Sequence, residues 1–342
     1  MIPPTPILIG LIILVALAFD FTNGFHDSAN AISTIVSTKV LTPRQAVLFA
    51  AFFNFVAAFA FGVAVASTIS KLVKLDVVPF DAIPWIALSA LVGAIGWNIM
   101  TWYLGLPTSS SHALIGGLLG AGIASSGVAA IHLGTFAIIV LFMVLSPVIG
   151  LACGFFFMIA VLWVAKDTSR SRVDTYFRKL QLISAGAFSF SHGSNDAQKT
   201  MGVITPLLFS IGYFGAGVNP NLLPVPIWVI LAAHSAIALG TLSGGWRIVK
   251  TMGYKITRLR PVDGFAAETA SAATIIGASM AGIPVSTTHV ITSAIMGVGT
   301  TRGTSAVKWG MARSIIWAWI LTIPVSALIG YASFSLIYHI VP

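Results

Sequence analysis

The chain has 342 residues, of which 57% are hydrophobic and only 8% are charged. Because soluble domains average about 25% charged residues, this composition excludes an ordinary soluble protein. The mean hydropathy of +0.97 and apolar runs of about 20 residues predict a membrane protein made of helices. The net charge of +9 comes from basic residues between the apolar runs, so it indicates membrane topology and not nucleic-acid binding.

The apolar segments and the basic loops between them predict how the chain crosses the membrane. The segments cover about residues 7–38, 45–69, 82–123, 135–165, 180–214, 226–245, 263–299 and 314–339. Basic loops stay on the cytoplasmic side, which places 166–179 and 246–260 inside and the N-terminus outside. With broken or re-entrant helices in 82–123 and 263–299, we expect an all-α polytopic protein with about 10–12 transmembrane segments.

Two polar stretches interrupt the apolar segments. The first, over 24–31, reads Gly-Phe-His-Asp-Ser-Ala-Asn-Ala, and the second, over 193–198, reads Gly-Ser-Asn-Asp-Ala-Gln. The charge pattern predicts that the chain crosses the membrane from outside to inside at the first stretch and from inside to outside at the second. We therefore predict an inverted-topology repeat, with residues 1–165 and 180–342 as its halves and 166–179 as a short basic linker.

A second pair of motifs supports the duplication. The sequence Pro-Thr-Ser-Ser-Ser-His over 107–112 returns as Pro-Val-Ser-Thr-Thr-His over 284–289. Proline is favoured in the first turn of a helix, whose free N–H groups and positive dipole end attract anions. Transporters with inverted repeats aim such half-helix N-termini at an anionic substrate. The candidate anion-binding residues are therefore Ser109, Ser110, Ser111, Ser286, Thr287 and Thr288.

The two acidic residues of the polar stretches predict a second ligand. An ionised side chain costs about 2.5–3.5 kcal/mol at the centre of a membrane helix, so such residues are functional candidates. Two carboxylates and an anionic substrate in one pocket repel one another, so cations or protons are expected to enter with the anion. Carboxylates, amide oxygens and carbonyls freed at a helix break bind hard cations. The candidate cation ligands are Asp27, Asn30, Asn195, Asp196 and Glu268.

Simpler structural roles also fit several of these residues. The Pro-hydroxyl motifs could be helix caps at a membrane face, where hydroxyls only satisfy backbone N–H groups. Asp27 could be a structural partner of its neighbour His26 or of an arginine distant in the sequence. For His112 and His289, which follow the hydroxyl residues, packing is favoured over ligand binding. Glu268 fits either cation binding or a structural hydrogen bond.

The stretch 24–31, the sequence His-Gly-Ser-Asn-Asp-Ala-Gln-Lys over 192–199 and the two Pro-hydroxyl motifs resemble the paired signatures of the inorganic phosphate transporter (PiT) family. The resemblance covers essentially the whole chain. It implies a secondary transporter of inorganic phosphate with inverted repeats, often a homodimer, in the plasma membrane of a prokaryote. Family members couple phosphate to sodium or to protons, and some proton-coupled bacterial members carry a neutral metal–phosphate complex.

Carried over to this chain, the resemblance assigns phosphate binding to the six hydroxyl residues together with Asp27, Asn195 and Asp196, and ion binding to the same carboxylates. Two departures leave the coupling cation open. Asn54 stands where eukaryotic sodium-coupled members have Glu, and the first motif has Phe-His-Asp instead of Ala-Asn-Asp. Both features resemble the bacterial low-affinity members.

Two other functions stay open beside phosphate import. A permease for sulfate or another oxyanion would have the same build. An anion channel would show conductance without coupling, although a passive anion pore gains nothing from buried carboxylates. The chain has no nucleotide-binding loop, catalytic triad or metal-ligand spacing, so we expect no enzyme activity and no cofactor beyond the co-transported cation. The expected partners are inorganic phosphate, the cation, the lipid bilayer and a second copy of the chain.

Overall fold

Twelve α-helices make up most of the chain in the computed structural model, which describes residues 5–60, 62–215 and 217–340. No β-strand occurs in these ranges, and the prediction of an all-α membrane protein is confirmed. The helices are α1 (Pro6–Ser37), α2 (Pro43–Val56), α3 (Ala64–Ser70), α4 (Ile83–Leu104), α5 (Ser110–Ser126), α6 (Leu133–Val164), α7 (Arg170–Ser210), α8 (Ile227–Ser243), α9 (Trp246–Lys250), α10 (Pro261–Met280), α11 (Thr287–Thr300) and α12 (Trp309–Ile340).

The two polar stretches lie on α1 and α7, which continue through them without interruption. α1 has 32 residues and α7 has 41, so both polar stretches lie within continuous helices and Gly24 does not break α1. Gly24 serves a close helix contact instead: a Cβ built there would lie 2.1 Å from the main-chain oxygen of Ile237 on α8. Gly193 on α7 makes a similar contact, since a Cβ built there would lie 2.6 Å from the main-chain oxygen of Asn54 on α2.

The helix breaks lie at the Pro-hydroxyl motifs. Gly105 follows the last residue of α4, and Gly282 lies two residues beyond the end of α10. Both glycines have a positive φ, +67° and +69°, a conformation that glycine adopts at little cost. Pro107 and Pro284 follow in non-helical connections, ahead of α5 and α11. The sequence suggested that these prolines lie in the first turn of each helix. They precede it, because the residue two positions after each proline is the N-cap.

The buried apolar residues form two clusters, and the polar stretches lie between them. The N-terminal part of α1, up to Phe19, packs with the C-terminal part of α7 and with α3, α4 and α5. The other ends of these two helices, including Ile32 and Phe188, pack with α2, α10 and α11. Asp27 and Asp196 therefore lie where one apolar cluster gives way to the other.

The two short helices, α5 and α11, each pack against a long apolar helix from the other half of the chain. α5 lies on α12, and α11 lies on α6. Glycines allow the close approach in both places: a Cβ at Gly120 would lie 1.9 Å from the main-chain oxygen of Ala327, and one at Gly150 would lie 2.6 Å from that of Val290. The duplication of the chain stays a prediction. The membrane orientation of each half stays a prediction.

Four helical segments of the described chain are long and apolar enough to cross a membrane on their own: Pro6–Ser37, Phe80–Leu104, Leu133–Val164 and Trp309–Ile340. The number rises to six if each of two bent helix pairs, α2 with α3 and α8 with α9, forms one span. α5 and α11 have 17 and 14 residues, fewer than the about 20 that a full crossing needs. The count of about 10–12 segments stays a prediction.

Of the predicted basic loops, one is largely helical, and another contributes an arginine that forms an ion pair at the start of α10. Most of the segment 166–179 is helical, since α7 begins at Arg170, and its assignment as a linker between halves stays a prediction. At the start of α10, the buried Asp263 accepts hydrogen bonds from the side chains of Arg260 and Arg302 at 3.2 and 3.3 Å. The hydrogen bond that the Arg260 guanidinium donates to this carboxylate raises the pKa of Arg260 above its ordinary value, so the pair stays charged.

Candidate functional site

Four helices bring most of the candidate residues to one place. The polar stretches of α1 and α7 face the N-termini of α5 and α11, and Asp27 and Asp196 are only 2% and 0% exposed. Ser109 and Ser286 are the N-caps of the two short helices, and each hydroxyl accepts a hydrogen bond from the main-chain N–H three residues on, at 3.2 and 3.1 Å. These two hydroxyls therefore have the capping role, and the hydroxyls that follow them are available for other contacts.

Asp27 contacts both short helices. Its Oδ1 accepts a hydrogen bond from Ser110 Oγ of α5 at 3.3 Å, and its Oδ2 accepts one from Thr288 Oγ1 of α11 at 3.4 Å. Asn30, one turn further along α1, donates to the same Thr288 hydroxyl at 2.8 Å. His26 Nδ1 lies 2.7 Å from Asp27 Oδ1, so the structural pairing of these neighbours is present as well. One carboxylate thus joins α1 to helix ends from both halves of the chain.

Asp196 on α7 has one hydroxyl partner on α11 and a lysine partner on its own helix. Its Oδ1 lies 2.5 Å from Lys199 Nζ, and its Oδ2 accepts a hydrogen bond from Thr287 Oγ1 of α11 at 3.2 Å. Lys199 also donates to the carbonyl oxygen of Val285 at 2.9 Å and to the hydroxyl of Ser111 on α5. Because the lysine side chain is only 1% exposed, a buried ion pair neutralises this carboxylate.

His192 lies between the two carboxylates. Its Nε2 is 3.3 Å from Asp196 Oδ2 and 4.0 Å from Asp27 Oδ2. One ligand atom from each of these three residues lies within 4.8 Å of the others, and carboxylate and imidazole groups are ligands of divalent metals. The sequence analysis gave His192 no role, although its position four residues before Asp196 on α7 places both side chains on one helix face.

The hydrogen bonds behind His192 decide which of its ring nitrogens carries a proton. Thr241 Oγ1 donates to the carbonyl oxygen of Ile237 at 2.8 Å, so it accepts from Asn54 Nδ2 at 2.9 Å. The Asn54 oxygen then faces His192 Nδ1 at 3.2 Å, which requires a proton on Nδ1. The Nε2 atom of a neutral ring therefore presents a lone pair to two carboxylates, and a proton or metal cation between them would remove this repulsion.

Two other candidate ligands point away from this cluster. Asn195 donates from its amide to Ser279 Oγ on α10 at 2.7 Å. Glu268, also on α10, is fully buried, and no hydrogen bond joins it to Asp27 or Asp196 in the described part of the chain. The donors to Glu268 come from α1 and α7: Thr34 Oγ1 at 2.6 Å, Gln181 Nε2 at 3.1 Å and Ser184 Oγ at 2.5 Å.

The histidines that end the Pro-hydroxyl motifs pack against each other. The ring centroids of His112 and His289 are 4.7 Å apart at an interplanar angle of 70°, and His289 stacks on Trp319 with centroids 3.9 Å apart. These contacts join α5, α11 and α12 beneath the hydroxyl residues. The packing role favoured by the sequence analysis agrees with this arrangement.

Comparison with known proteins identifies the family of this chain. The model of the phosphate transporter family matches residues 23–172 and 164–330. The chain belongs to this family. A protein of Rhizobium meliloti (strain 1021), described as "Probable low-affinity inorganic phosphate transporter", is 52% identical over 95% of this chain and 95% of its own length. A Bacillus subtilis (strain 168) protein with the same description is 44% identical over 96% of each chain.

A solved structure has the same fold. The protein described as "The sodium-dependent phosphate transporter" superposes with a TM-score of 0.87 at 27% identity, covering 98% of this chain and 100% of that chain. This member of the phosphate transporter family is therefore a multi-pass membrane transporter and not an enzyme. The motifs that carry its resemblance in the sequence are the ones that surround Asp27 and Asp196.

Proposed function

We propose that this transporter imports inorganic phosphate across the plasma membrane of a prokaryotic cell, and that a cation, sodium or a proton, enters with each phosphate. The observation that carries the proposal is the pair of buried carboxylates, Asp27 and Asp196, in contact with the N-terminal hydroxyls of α5 and α11. Helix N-termini attract phosphate, whereas carboxylates repel it. Such a site favours an anion only after positive charge has been added.

The need for a cation is greatest at Asp27. Two unit charges 4 Å apart interact by about 4 kcal/mol at an effective dielectric constant of 20. Asp196 has Lys199 to offset its charge. The basic side chains nearest to Asp27 in the described chain are histidines, His26 at 2.7 Å and His192 at 4.0 Å, and neither carries a permanent charge. A cation bound beside Asp27 would remove the repulsion between this carboxylate and phosphate.

The same hydroxyls serve both ligands in this proposal. A serine or threonine hydroxyl has one proton to donate, and Ser110, Thr287 and Thr288 donate theirs to carboxylates. When a cation occupies the carboxylates, these hydroxyls can turn their protons to phosphate oxygens while their lone pairs face the cation. We therefore expect the cation to bind first and phosphate second.

The residue roles follow from these contacts. Phosphate is bound by the hydroxyl residues at the start of α5 and α11, next to Asp27 and Asp196, and the cation is bound by the same two carboxylates with Asn30. Asn195, whose amide donates to Ser279, stays a predicted ligand of phosphate and of the cation. Glu268 stays a predicted cation ligand outside this cluster. A neutral metal–phosphate complex is the alternative form of the substrate, and the donor set of Asp27, His192 and Asp196 supports it.

Further parts of the proposal concern the membrane and the assembly. The descriptions of the relatives as inorganic phosphate transporters support phosphate as the substrate, and the sodium-dependent relative supports sodium as one candidate cation. We also propose an inverted repeat with the N-terminus outside, basic loops in the cytoplasm and a homodimeric assembly.

Uptake of radiolabelled phosphate into proteoliposomes tests the proposal. The purified protein is reconstituted, and an inward sodium gradient and an inward proton gradient are imposed in separate experiments, each with and without added Mg²⁺. We expect phosphate to accumulate under one of these gradients and not in protein-free vesicles. Absence of uptake under both gradients by monodisperse protein would refute cation-coupled import.

Competition distinguishes the other oxyanion and channel functions. An excess of sulfate should leave phosphate uptake almost unchanged, and inhibition by sulfate at equal concentration would indicate a broader oxyanion permease. Saturation of the uptake rate at high phosphate would separate a carrier from an anion channel, whose flux continues to rise with concentration.

A further inference from the structure

Lys199 occupies a position of the kind that a dissolved cation would take. Three oxygen atoms surround its ammonium group: a carboxylate oxygen of Asp196 at 2.5 Å, the carbonyl oxygen of Val285 at 2.9 Å and the hydroxyl of Ser111. Val285 lies in the helix break before α11, so its carbonyl is free of a helical partner. A carboxylate, a hydroxyl and a carbonyl freed at a helix break are typical ligands of Na⁺ in transporters.

The repeat shows what stands at this position in the other half. The segments 27–30 and 196–199 align through their aspartates, so Asn30 on α1 corresponds to Lys199 on α7. The two halves therefore differ at this position by one full positive charge. In contrast, the hydroxyl residues 109–111 of the first half correspond to hydroxyl residues 286–288 of the second half.

The contacts made by these two residues are equivalent as well. Lys199 donates to Ser111 of α5, and Asn30 donates to Thr288 of α11 at 2.8 Å; both hydroxyls stand four positions after the proline of their motif. Each residue thus reaches the short helix of the opposite half. Asn30 makes the contact with a neutral amide, and no ammonium group reaches Asp27 in the part of the chain that the structure describes.

We propose that Lys199 is a built-in cation that replaces one of two coupling cations, so that this transporter takes its soluble cation on the Asp27 side only. The inference rests on the cation-coupled transport proposed above. Because the ammonium group is covalently attached, it neutralises Asp196 without being released with phosphate. The transporter therefore moves one positive charge fewer per phosphate than a chain with an amide at this position.

The consequence for accumulation is large enough to measure. One elementary charge moving through 100 mV is worth about 2.3 kcal/mol, which corresponds to about a fifty-fold change in the attainable phosphate ratio. When a transporter loses the built-in charge and gains a soluble cation, a membrane potential of 100 mV should change its attainable phosphate ratio by about this additional factor.

Lys199→Asn, which copies the residue of the other half, tests the proposal. The matched control is Lys250→Asn, since Lys250 is an exposed basic residue of α9. Each protein is reconstituted with a fixed phosphate gradient, equal sodium and equal pH on both sides, and a membrane potential set with potassium and valinomycin. The potential at which net phosphate flux is zero reports the charge moved per phosphate, whichever cation is carried.

We expect Lys199→Asn to move one positive charge more per phosphate than the unmodified protein, and Lys250→Asn to move the same charge. An equal charge per phosphate in Lys199→Asn and the unmodified protein would overturn the proposal. This outcome differs from failure of the proposed function, in which the unmodified protein itself shows no coupled uptake.

Two further variants decide the question if Lys199→Asn does not give monodisperse protein. Asn30→Lys adds a second ammonium group beside Asp27 and should lower the charge per phosphate by one. The exchange variant with both substitutions keeps one ammonium group and should equal the unmodified protein. An unchanged charge in Asn30→Lys rejects the proposal. If none of the three variants folds, Lys199 is a structural ion-pair residue and the proposal is rejected as well.

Discussion

Replacement of Gly24 by alanine would test the close contact that positions the first polar stretch. The added Cβ would lie 2.1 Å from the main-chain oxygen of Ile237 on α8. Carbon–oxygen contacts are rarely shorter than about 3.3 Å, so α1 and α8 must separate by about 1 Å at this level. Overpacking of this kind costs about 1–3 kcal/mol, which should lower the unfolding temperature by several degrees.

The displacement should also reach the site, because Asp27 lies on the next turn of α1. Its hydrogen bonds with Ser110 and Thr288 are already 3.3 and 3.4 Å long, so a further shift of about 1 Å would break them. Misplacement of a binding group by about 1 Å can cost two orders of magnitude in rate. We therefore expect Gly24→Ala to reduce phosphate uptake into proteoliposomes by at least about tenfold.

Gly10→Ala is the matched control, since Gly10 lies on the same helix and no atom lies within 4 Å of its added Cβ. Alanine is favoured over glycine by about 1 kcal/mol in a helix, so this variant should be as stable as the unmodified protein or slightly more stable, with unchanged uptake. Normal uptake and an unchanged unfolding temperature for Gly24→Ala would refute the reasoning.

Three further predictions concern the site and its surroundings. Asp27→Asn and Asp196→Asn should each abolish coupled phosphate uptake while leaving the protein in the membrane, because each removes one of the two carboxylates that contact the hydroxyls of α5 and α11. Ser110→Ala should weaken the apparent phosphate affinity more than the apparent cation affinity, measured from uptake at varied concentrations of each. Glu268→Gln should destabilise the protein by about 1–3 kcal/mol in thermal unfolding, since one carboxylate oxygen that accepts hydrogen bonds from Thr34, Gln181 or Ser184 becomes an amide nitrogen, which accepts none.

Each of these predictions has its own control and contrary result. Asp174→Asn removes an exposed carboxylate of α7 and should transport normally, and normal transport by either buried-aspartate variant would remove that residue from the site. A larger loss of cation affinity than of phosphate affinity in Ser110→Ala would reverse the assignment of this hydroxyl. If Glu268→Gln unfolds at the same temperature as the unmodified protein, the hydrogen bonds to Glu268 do not stabilise the fold as expected.

The sequence analysis was correct where the physical signal is local. The apolar runs predicted the helical membrane protein, and the hydroxyls after Pro107 and Pro284 predicted two helix starts, both of which the structure contains. The close contact of Gly24 could not be predicted in this way. Its partner, Ile237, lies more than two hundred positions away in the sequence.

The sequence by itself determined the class of protein, the duplicated motifs and the family resemblance, because hydropathy, charge and motif spacing can be read along the chain. Only the tertiary structure decided which side chains share the buried charges. It placed His192 between two carboxylates, separated Glu268 from them, and paired Asp196 with Lys199 while Asn30 contacts a hydroxyl 258 positions away. These contacts depend on how helices distant in the sequence pack against one another. The packing depends on glycines, and the local sequence does not predict which residues those glycines contact.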